Sequence, residues 1–120
     1  MGTSRSTERA DVWRAGALIY SGRPNPGWIV SNEIVESLLQ LWEGMDDWCG
    51  SLPVPPALGY RGCYLQDAGL RKWTAFKGYV ILDQVARTQV RKDTDSVFEK
   101  LLWSSAPQGK LPPWLNKQES

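Results

Sequence analysis

An amphipathic helix predicted from Ser31 to Gly44 places the strongest constraint on how this chain folds. Ser31 is a favourable N-cap, and Glu33 falls in the first turn, where the helix dipole favours a carboxylate. Apolar residues recur at spacings of three and four, while polar side chains fall mostly on the other side. The apolar stripe consists of Ile34, Val35, Leu38, Leu39, Leu41, Trp42 and Met45. This stripe needs an apolar surface to cover, which the rest of the chain has to supply.

Segments with strand character lie on both sides of this helix. The run from Val12 to Tyr20 ends in β-branched and aromatic residues and predicts a strand. Residues 21–27 stop it, because two prolines lack backbone donors and two glycines permit unusual dihedral angles. Residues 46–58 predict a loop, extended in the polyproline manner where Pro55 precedes Pro56.

A hairpin is predicted next. Its first strand is Gly59–Gln66, its turn Asp67–Gly69, and its second strand Arg71–Leu82. The aromatic residues of the second strand do not alternate cleanly. We therefore expect either a bulge near Gly78 or a strand that is partly covered on both faces.

A second helix closes the predicted fold. Residues 83–92 form a polar bridge, part of which can pair as a short strand, and Asp93 or Thr94 can cap the helix. Its apolar stripe consists of Val97, Phe98, Leu101 and Leu102. The order of elements predicts an α+β fold, with a small antiparallel sheet and about two helices packed on one face.

The length and composition indicate one globular domain. A chain of 120 residues with 42% hydrophobic and 22% charged residues is sufficient for one core. We expect a flexible tail over residues 1–10, a single domain over residues 11–106, and a Pro-rich segment over residues 107–120. That last segment could contact a partner or fold back on the domain.

Several classes of active site are excluded by residue type. The sequence contains no histidine, which removes imidazole-dependent catalysis and most transition-metal sites. Gly-rich phosphate loops are also missing. The acidic pairs at 46–47 and at 93 and 95 lie near predicted helix ends, where carboxylates commonly cap helices or are solvated. We therefore expect no catalytic residue, no metal and no cofactor.

The charge balance and cysteine content limit the partners and the compartment. Lys and Arg total 14 against 13 Asp and Glu, so no general attraction to nucleic acid or anionic lipid is expected. No stretch approaches the ~18 apolar residues of a membrane span, and charged residues near the start argue against a secretory signal. We expect a cytoplasmic protein. Cys49 and Cys63 are expected to be reduced there, although a disulfide between them stays open.

The loop Tyr20–Trp28, with the sequence Y-S-G-R-P-N-P-G-W, is the most distinctive segment. Together with the later Gly-Tyr-Arg-Gly at 59–62, it resembles a set of small single-domain proteins that have no known function. The resemblance implies a shared fold and no particular activity. These proteins carry a bulky apolar residue after the second motif, where this chain has Cys63.

Five residues of the two motifs are candidates for a binding site. Arg23 carries a permanent charge between a glycine and a proline, which suits recognition of a carboxylate or phosphate. Asn25 can donate or accept a hydrogen bond, and Trp28 can stack on a ligand; Tyr60 and Arg61 come from the second motif. The alternative is architectural: Arg23 bonds loop carbonyls or Glu33, Asn25 forms a turn and Trp28 fills the core.

Two further features suggest other chemistry. Arg61 is expected to share a strand face with Cys63, which would favour the thiolate, although a buried apolar role for the cysteine is the stronger interpretation. Aromatic residues are also interleaved with cationic residues along the hairpin, as in sheets that stack RNA bases. They are Tyr60, Arg61, Tyr64, Arg71, Lys72, Trp73, Phe76, Lys77 and Tyr79.

These observations favour a non-enzymatic protein-interaction domain, an adaptor or complex subunit. Its expected partner is another protein or a second copy of the chain. The alternative is a small enzyme or binder of an acidic small molecule, in which Arg23 orients the substrate and Asp67 or a tyrosine donates a proton. A third hypothesis is single-stranded nucleic-acid binding through the hairpin aromatics.

Overall fold

A computed structural model describes residues 12–20, 24–55 and 59–111. Within these ranges, seven strands and two helices form one α+β domain. The elements are β1 Trp13–Ala17, β2 Gly27–Val30, α1 Asn32–Glu43, β3 Asp46–Asp47, β4 Cys63–Gln66, β5 Lys72–Phe76, β6 Tyr79–Asp83, β7 Thr88–Lys92 and α2 Val97–Ser104. A 3-10 turn, Thr94–Ser96, precedes α2. No helix in the described part of the chain is long and apolar enough to cross a membrane.

The strands form a single sheet in the order β2-β1-β4-β5-β6-β7-β3. Every neighbouring pair is antiparallel. Helix α1 follows β2 at one edge of the sheet and leads into β3 at the opposite edge, so it connects the two edges. The predicted α+β class and antiparallel sheet are confirmed, and the sheet is larger than the small one expected.

Three details of the predicted order are wrong. The segment Arg71–Leu82 is two strands, because Lys77 and Gly78 have φ of 46° and 88° and form a tight turn. Phe76 pairs with Tyr79 across it, as two-residue turns with positive φ require. Strands β2 and β3 also lie partly or wholly in segments predicted as loops. The short strand predicted within residues 83–92 is present as β7.

The helix ends follow the predicted capping residues. Ser31 Oγ accepts a hydrogen bond from the backbone N–H of Ile34 at 3.4 Å, and α1 ends before Gly44. At α2, the carboxylate of Asp93 accepts from the backbone N–H groups of Phe98 and Glu99 at 3.0–3.2 Å. Asp93 is only 1% exposed. Its burial raises the pKa of the carboxyl above the ordinary aspartate value, although these backbone donors act in the opposite direction.

The core lies between one face of the sheet and the two helices. Alternate strand residues point toward the helices, where they pack against Leu38, Trp42, Phe98 and Leu102. The strand residues buried on this side are Trp13, Ala15, Ala17, Trp28, Val30, Cys63, Leu65, Trp73, Ala75, Val80 and Leu82. The opposite side, called the second face below, carries Arg14, Ile29, Tyr64, Lys72, Thr74, Phe76, Tyr79, Ile81 and Val90.

Candidate functional site

Two of the five predicted site residues belong to the loop after β1. Arg23 lies outside the described residues. Asn25 Oδ1 accepts hydrogen bonds from the backbone N–H groups of Ile19 and Tyr20, both at 2.7 Å. The amide therefore closes a turn in the loop, as in the architectural alternative.

Trp28 and Arg61 also make contacts within the fold. Trp28 is 5% exposed on the helix side of the sheet, and its Nε1 donates to Ser105 Oγ at 2.9 Å. Arg61 Nη2 donates to the backbone carbonyl of Tyr20 at 2.7 Å. The two sequence motifs are therefore in contact, because Arg61 of the second motif holds the carbonyl of the first residue of the first motif.

Gly62 separates Arg61 from Cys63. Its φ of 120° interrupts the alternation of an extended strand. Cys63 is fully buried on the helix side, whereas Arg61 lines a groove on the second face. The prediction that Arg61 and Cys63 share a strand face is wrong for this reason. A Cβ added at Gly62 would also lie 2.8 Å from the carbonyl oxygen of Ala75.

The groove on the second face has a volume of about 240 Å³ and is mainly apolar. Its floor is formed by side chains of β5 and β6, and its outer wall by the Pro-containing segment that follows β3. We call it the second-face groove. It is lined by Leu52, Pro53, Pro55, Arg61, Thr74, Phe76, Tyr79 and Ile81.

The outer wall of the groove is held against the sheet by Trp48. The backbone N–H of Trp48 donates to Val90 O at 2.9 Å, which extends the pairing of β3 with β7. The indole ring lies 5.4 Å from the ring of Tyr79, and its Nε1 donates to Ser51 O at 3.1 Å. These contacts order the segment just before Leu52, so the groove is formed before any ligand binds.

Arg61 is the only charged residue in the described lining of the second-face groove. Nη2 of its guanidinium is bonded to Tyr20, but Nε is buried and meets no acceptor within the described ranges. An unpaired buried donor is costly, and a guanidinium is best satisfied by a carboxylate or phosphate. The site can therefore take an apolar ligand that carries an acidic group.

A second cavity, of about 250 Å³, lies where the β5–β6 turn meets α2. Three aromatic rings and one carboxylate form its inner part, and two lysines and a serine form its rim. We call it the aromatic cavity. It is lined by Tyr60, Phe76, Lys77, Ser96, Glu99, Lys100 and Trp103.

Tyr60 is the centre of a hydrogen-bond network in the aromatic cavity. Its hydroxyl donates to Glu99 Oε2 and accepts from Trp103 Nε1 at 2.8 Å. Glu99 Oε1 accepts from the backbone N–H of Lys77 at 3.1 Å. Burial, and then the neighbouring Cys63 and Glu99, raise the pKa of the Tyr60 hydroxyl above its ordinary value. The hydroxyl is therefore a stable donor to Glu99.

Cys49 and Cys63 do not form a disulfide with each other. Cys49 is exposed, and the Cys63 sulfur lies 3.1 Å from the Tyr60 hydroxyl oxygen. Since the hydroxyl proton is directed to Glu99, the Cys63 thiol is the donor in this contact. Cys63 thus combines the buried position expected for it with a hydrogen bond that the sequence does not indicate.

The remaining predicted features are dispersed over the sheet. Asp67 forms an ion pair with Arg71 at 2.8 Å and lies at the opposite end of β4 from Tyr60. Neither of the two cavities described above joins these two residues. Of the hairpin aromatics, Tyr64, Phe76 and Tyr79 lie on the second face and Trp73 in the core, so nucleic-acid binding through the hairpin stays a prediction. The described residues include no cluster of potential metal ligands.

Sequence reasoning missed the residues that give both cavities their character. Glu99 has the pattern of a solvated first-turn acid but is only 4% exposed. Ile81 and Leu52 carry no motif, and only the register of β6 against β5 could have placed Ile81 beside Phe76 and Tyr79. Comparison of the chain with protein-family models, curated proteins and solved structures finds no match.

Proposed function

We propose that this domain is a non-enzymatic protein-interaction module whose second-face groove binds an extended segment of a partner protein. The segment supplies apolar side chains to the groove and one carboxylate to Arg61. The observation that carries the proposal is the apolar groove with Arg61 as its only charged lining residue among those described.

The shape and lining of the groove support a peptide as the ligand. Pro53 and Pro55 line the groove together with Phe76, Tyr79 and Ile81, so an inserted side chain would contact mainly apolar atoms. Aromatic rings and prolines lose little conformational entropy on binding, which favours affinity from a small contact area. The volume of about 240 Å³ accommodates one or two side chains rather than a large cofactor.

Arg61 gives the groove its preference for an acidic partner. Nη2 is already bonded to Tyr20 O, which fixes the plane of the guanidinium. The charge of the guanidinium is therefore held at the groove in a set orientation before the ligand arrives. A carboxylate bound there gains a charge-assisted hydrogen bond at low cost in side-chain entropy.

Selection from a phage-displayed library of random linear peptides tests the proposal. The intact chain serves as bait, and enriched peptides are synthesised and measured by fluorescence anisotropy. We expect the enriched sequences to combine apolar residues with Asp or Glu. Replacing that acid with its amide should weaken binding by about tenfold or more, a comparison that leaves the protein unchanged.

A pair of protein variants locates the binding site. Ile81→Glu introduces a negative charge into the groove, and we expect it to weaken peptide binding by at least about tenfold. Ile29→Glu is the matched control, because Ile29 is 61% exposed on the same face but does not line the groove. Equal binding by the wild type and Ile81→Glu, with both variants folded by circular dichroism, would reject the groove as the site.

A further inference from the structure

We propose that the aromatic cavity is a second binding site, for a small zwitterion that carries a quaternary ammonium group and an anionic group, such as phosphocholine or a betaine. The ammonium group lies against the rings of Tyr60, Phe76 and Trp103 beside Glu99. The anionic group lies at the rim, beside Lys77 and Lys100. This proposal does not depend on the function of the second-face groove.

The arrangement of the rings matches what an ammonium group recognises. The centroid of the Tyr60 ring lies 6.1 Å from that of Phe76 and 5.3 Å from that of Trp103, with the latter ring nearly perpendicular to it. The rings thus present differently oriented surfaces to one small space. Aromatic faces attract cations, and quaternary ammonium groups suit such sites in water because they lose little hydration on entry.

A cation is already found against one of these rings. Lys77 Nζ lies 5.6 Å from the centroid of Phe76. Lys77 itself is exposed, so its side chain can move when a ligand enters. The Phe76 ring therefore already has a positive charge within cation–π distance.

The charges of the lining are separated by depth, which selects a zwitterion over a simple cation. Glu99 is 4% exposed and its carboxylate is fixed by Tyr60 and by the backbone of Lys77. Lys77 and Lys100 are exposed at the rim. A ligand with its positive end inward and its negative end outward complements both regions, whereas a simple cation would be repelled by the two lysines.

The size of the cavity agrees with a ligand of this class. Its volume of about 250 Å³ is below the roughly 300–1,000 Å³ of sites for drug-sized molecules. A trimethylammonium group with a short chain fills such a space without requiring the β5–β6 turn to move.

Titration of the intact protein with phosphocholine tests the site, with 3,3-dimethylbutyl phosphate as the matched ligand that replaces nitrogen by carbon. The indole N–H signal of Trp103 reports binding in an NMR spectrum, and calorimetry gives the affinity. We expect a Kd between about 10 µM and 1 mM for phosphocholine. The carbon analogue should bind at least about fivefold more weakly.

Protein variants test the recognition of the two ends of the ligand separately. Lys100→Glu should weaken phosphocholine binding by about threefold to tenfold, whereas Lys110→Glu, at an exposed lysine outside the cavity lining, should not. In Glu99→Gln the preference for phosphocholine over its carbon analogue should decrease, a change in selectivity that a purely structural role would not produce. If Glu99→Gln fails to fold, the comparison of the two ligands on the wild type still decides.

Three results would each overturn the proposal. They are equal affinity for the two ligands, binding of inorganic phosphate as tightly as phosphocholine, and no shift of the Trp103 signal. Vesicles of phosphatidylcholine distinguish the source: retention on them indicates a lipid headgroup, and binding of free phosphocholine without retention indicates a soluble metabolite. Ile81→Glu should leave phosphocholine binding unchanged, so failure of the groove and failure of this site are distinguishable.

Discussion

Replacing Tyr60 with phenylalanine should destabilise the domain, because one hydroxyl serves three partners. The substitution keeps the ring and its contacts with Phe76 and Trp103 but removes the donor to Glu99 and the acceptor of Trp103 Nε1. A buried polar group left unpaired costs about 1–3 kcal/mol. Glu99 borders a cavity that can admit water, so the cost of leaving its carboxylate without the Tyr60 hydroxyl is reduced. For both lost hydrogen bonds together we expect the free energy of unfolding to fall by about 2–4 kcal/mol.

Urea unfolding monitored by tryptophan fluorescence measures this loss, provided that the slope with denaturant is unchanged. Tyr79→Phe is the matched control, since the Tyr79 hydroxyl has no hydrogen bond within the described structure and its removal should change stability by about 0.5 kcal/mol or less. A loss below about 1 kcal/mol for Tyr60→Phe, or an equal loss for both variants, would refute the network described here.

The same variant predicts a pH dependence. The pKa of Tyr60 is raised in the folded state, so the unfolded chain loses this proton first as the pH increases. The associated stability is therefore present below pH 10.0, the ordinary tyrosine value, and is lost as the pH rises above it. The difference in stability between wild type and Tyr60→Phe should decrease above that pH, and a constant difference would contradict the assignment.

Four further substitutions test the backbone and the helix caps by denaturant unfolding. Gly62→Ala should cost about 2 kcal/mol or more of stability, and Gly59→Ala about 1 kcal/mol. Both glycines have positive φ, but only at position 62 would an added Cβ lie against a backbone oxygen. Equal costs would contradict the clash. Ser31→Ala should cost about 1 kcal/mol through loss of the N-cap of α1, and no change would argue against that cap. Asp93→Asn should cost the most stability at low pH. The raised pKa of Asp93 in the folded state gives stability that is present below about pH 3.8 and is lost as the pH rises through the folded pKa. A loss of stability that grows with pH would contradict this sign.

The parts of the fold that the sequence predicted are those set by local interactions. The stripe of α1, its cap Ser31 and the capping role of Asp93 depend on residues a few positions apart. Strands β2 and β3 were missed because they have only four and two residues. Their pairing with β1 and β7 is decided by the whole sheet, and no local pattern of so short a length records it.

The residues of the candidate sites, like the elements of the fold, could be predicted only where local sequence patterns indicate them. Tyr60 and Arg61 were singled out from the sequence and line different cavities. The shared face expected for Arg61 and Cys63 was wrong, because the positive φ of Gly62 interrupts the alternation of the strand between them. In the sequence, Glu99 has the pattern of a solvated residue at the start of a helix. In the structure, the β5–β6 turn covers it. That turn depends on positive φ at Lys77, a residue type that gives no such signal.

NMR mapping of an enriched peptide on the isotope-labelled domain tests the central proposal most directly. We expect the largest shifts of backbone amide signals at the non-proline residues that line the second-face groove, which are Leu52, Arg61, Thr74, Phe76, Tyr79 and Ile81. The signals of α1, on the other side of the sheet, should remain unchanged. Shifts concentrated on α1, or around Arg23 with the groove unaffected, would contradict the account and place the interaction surface elsewhere.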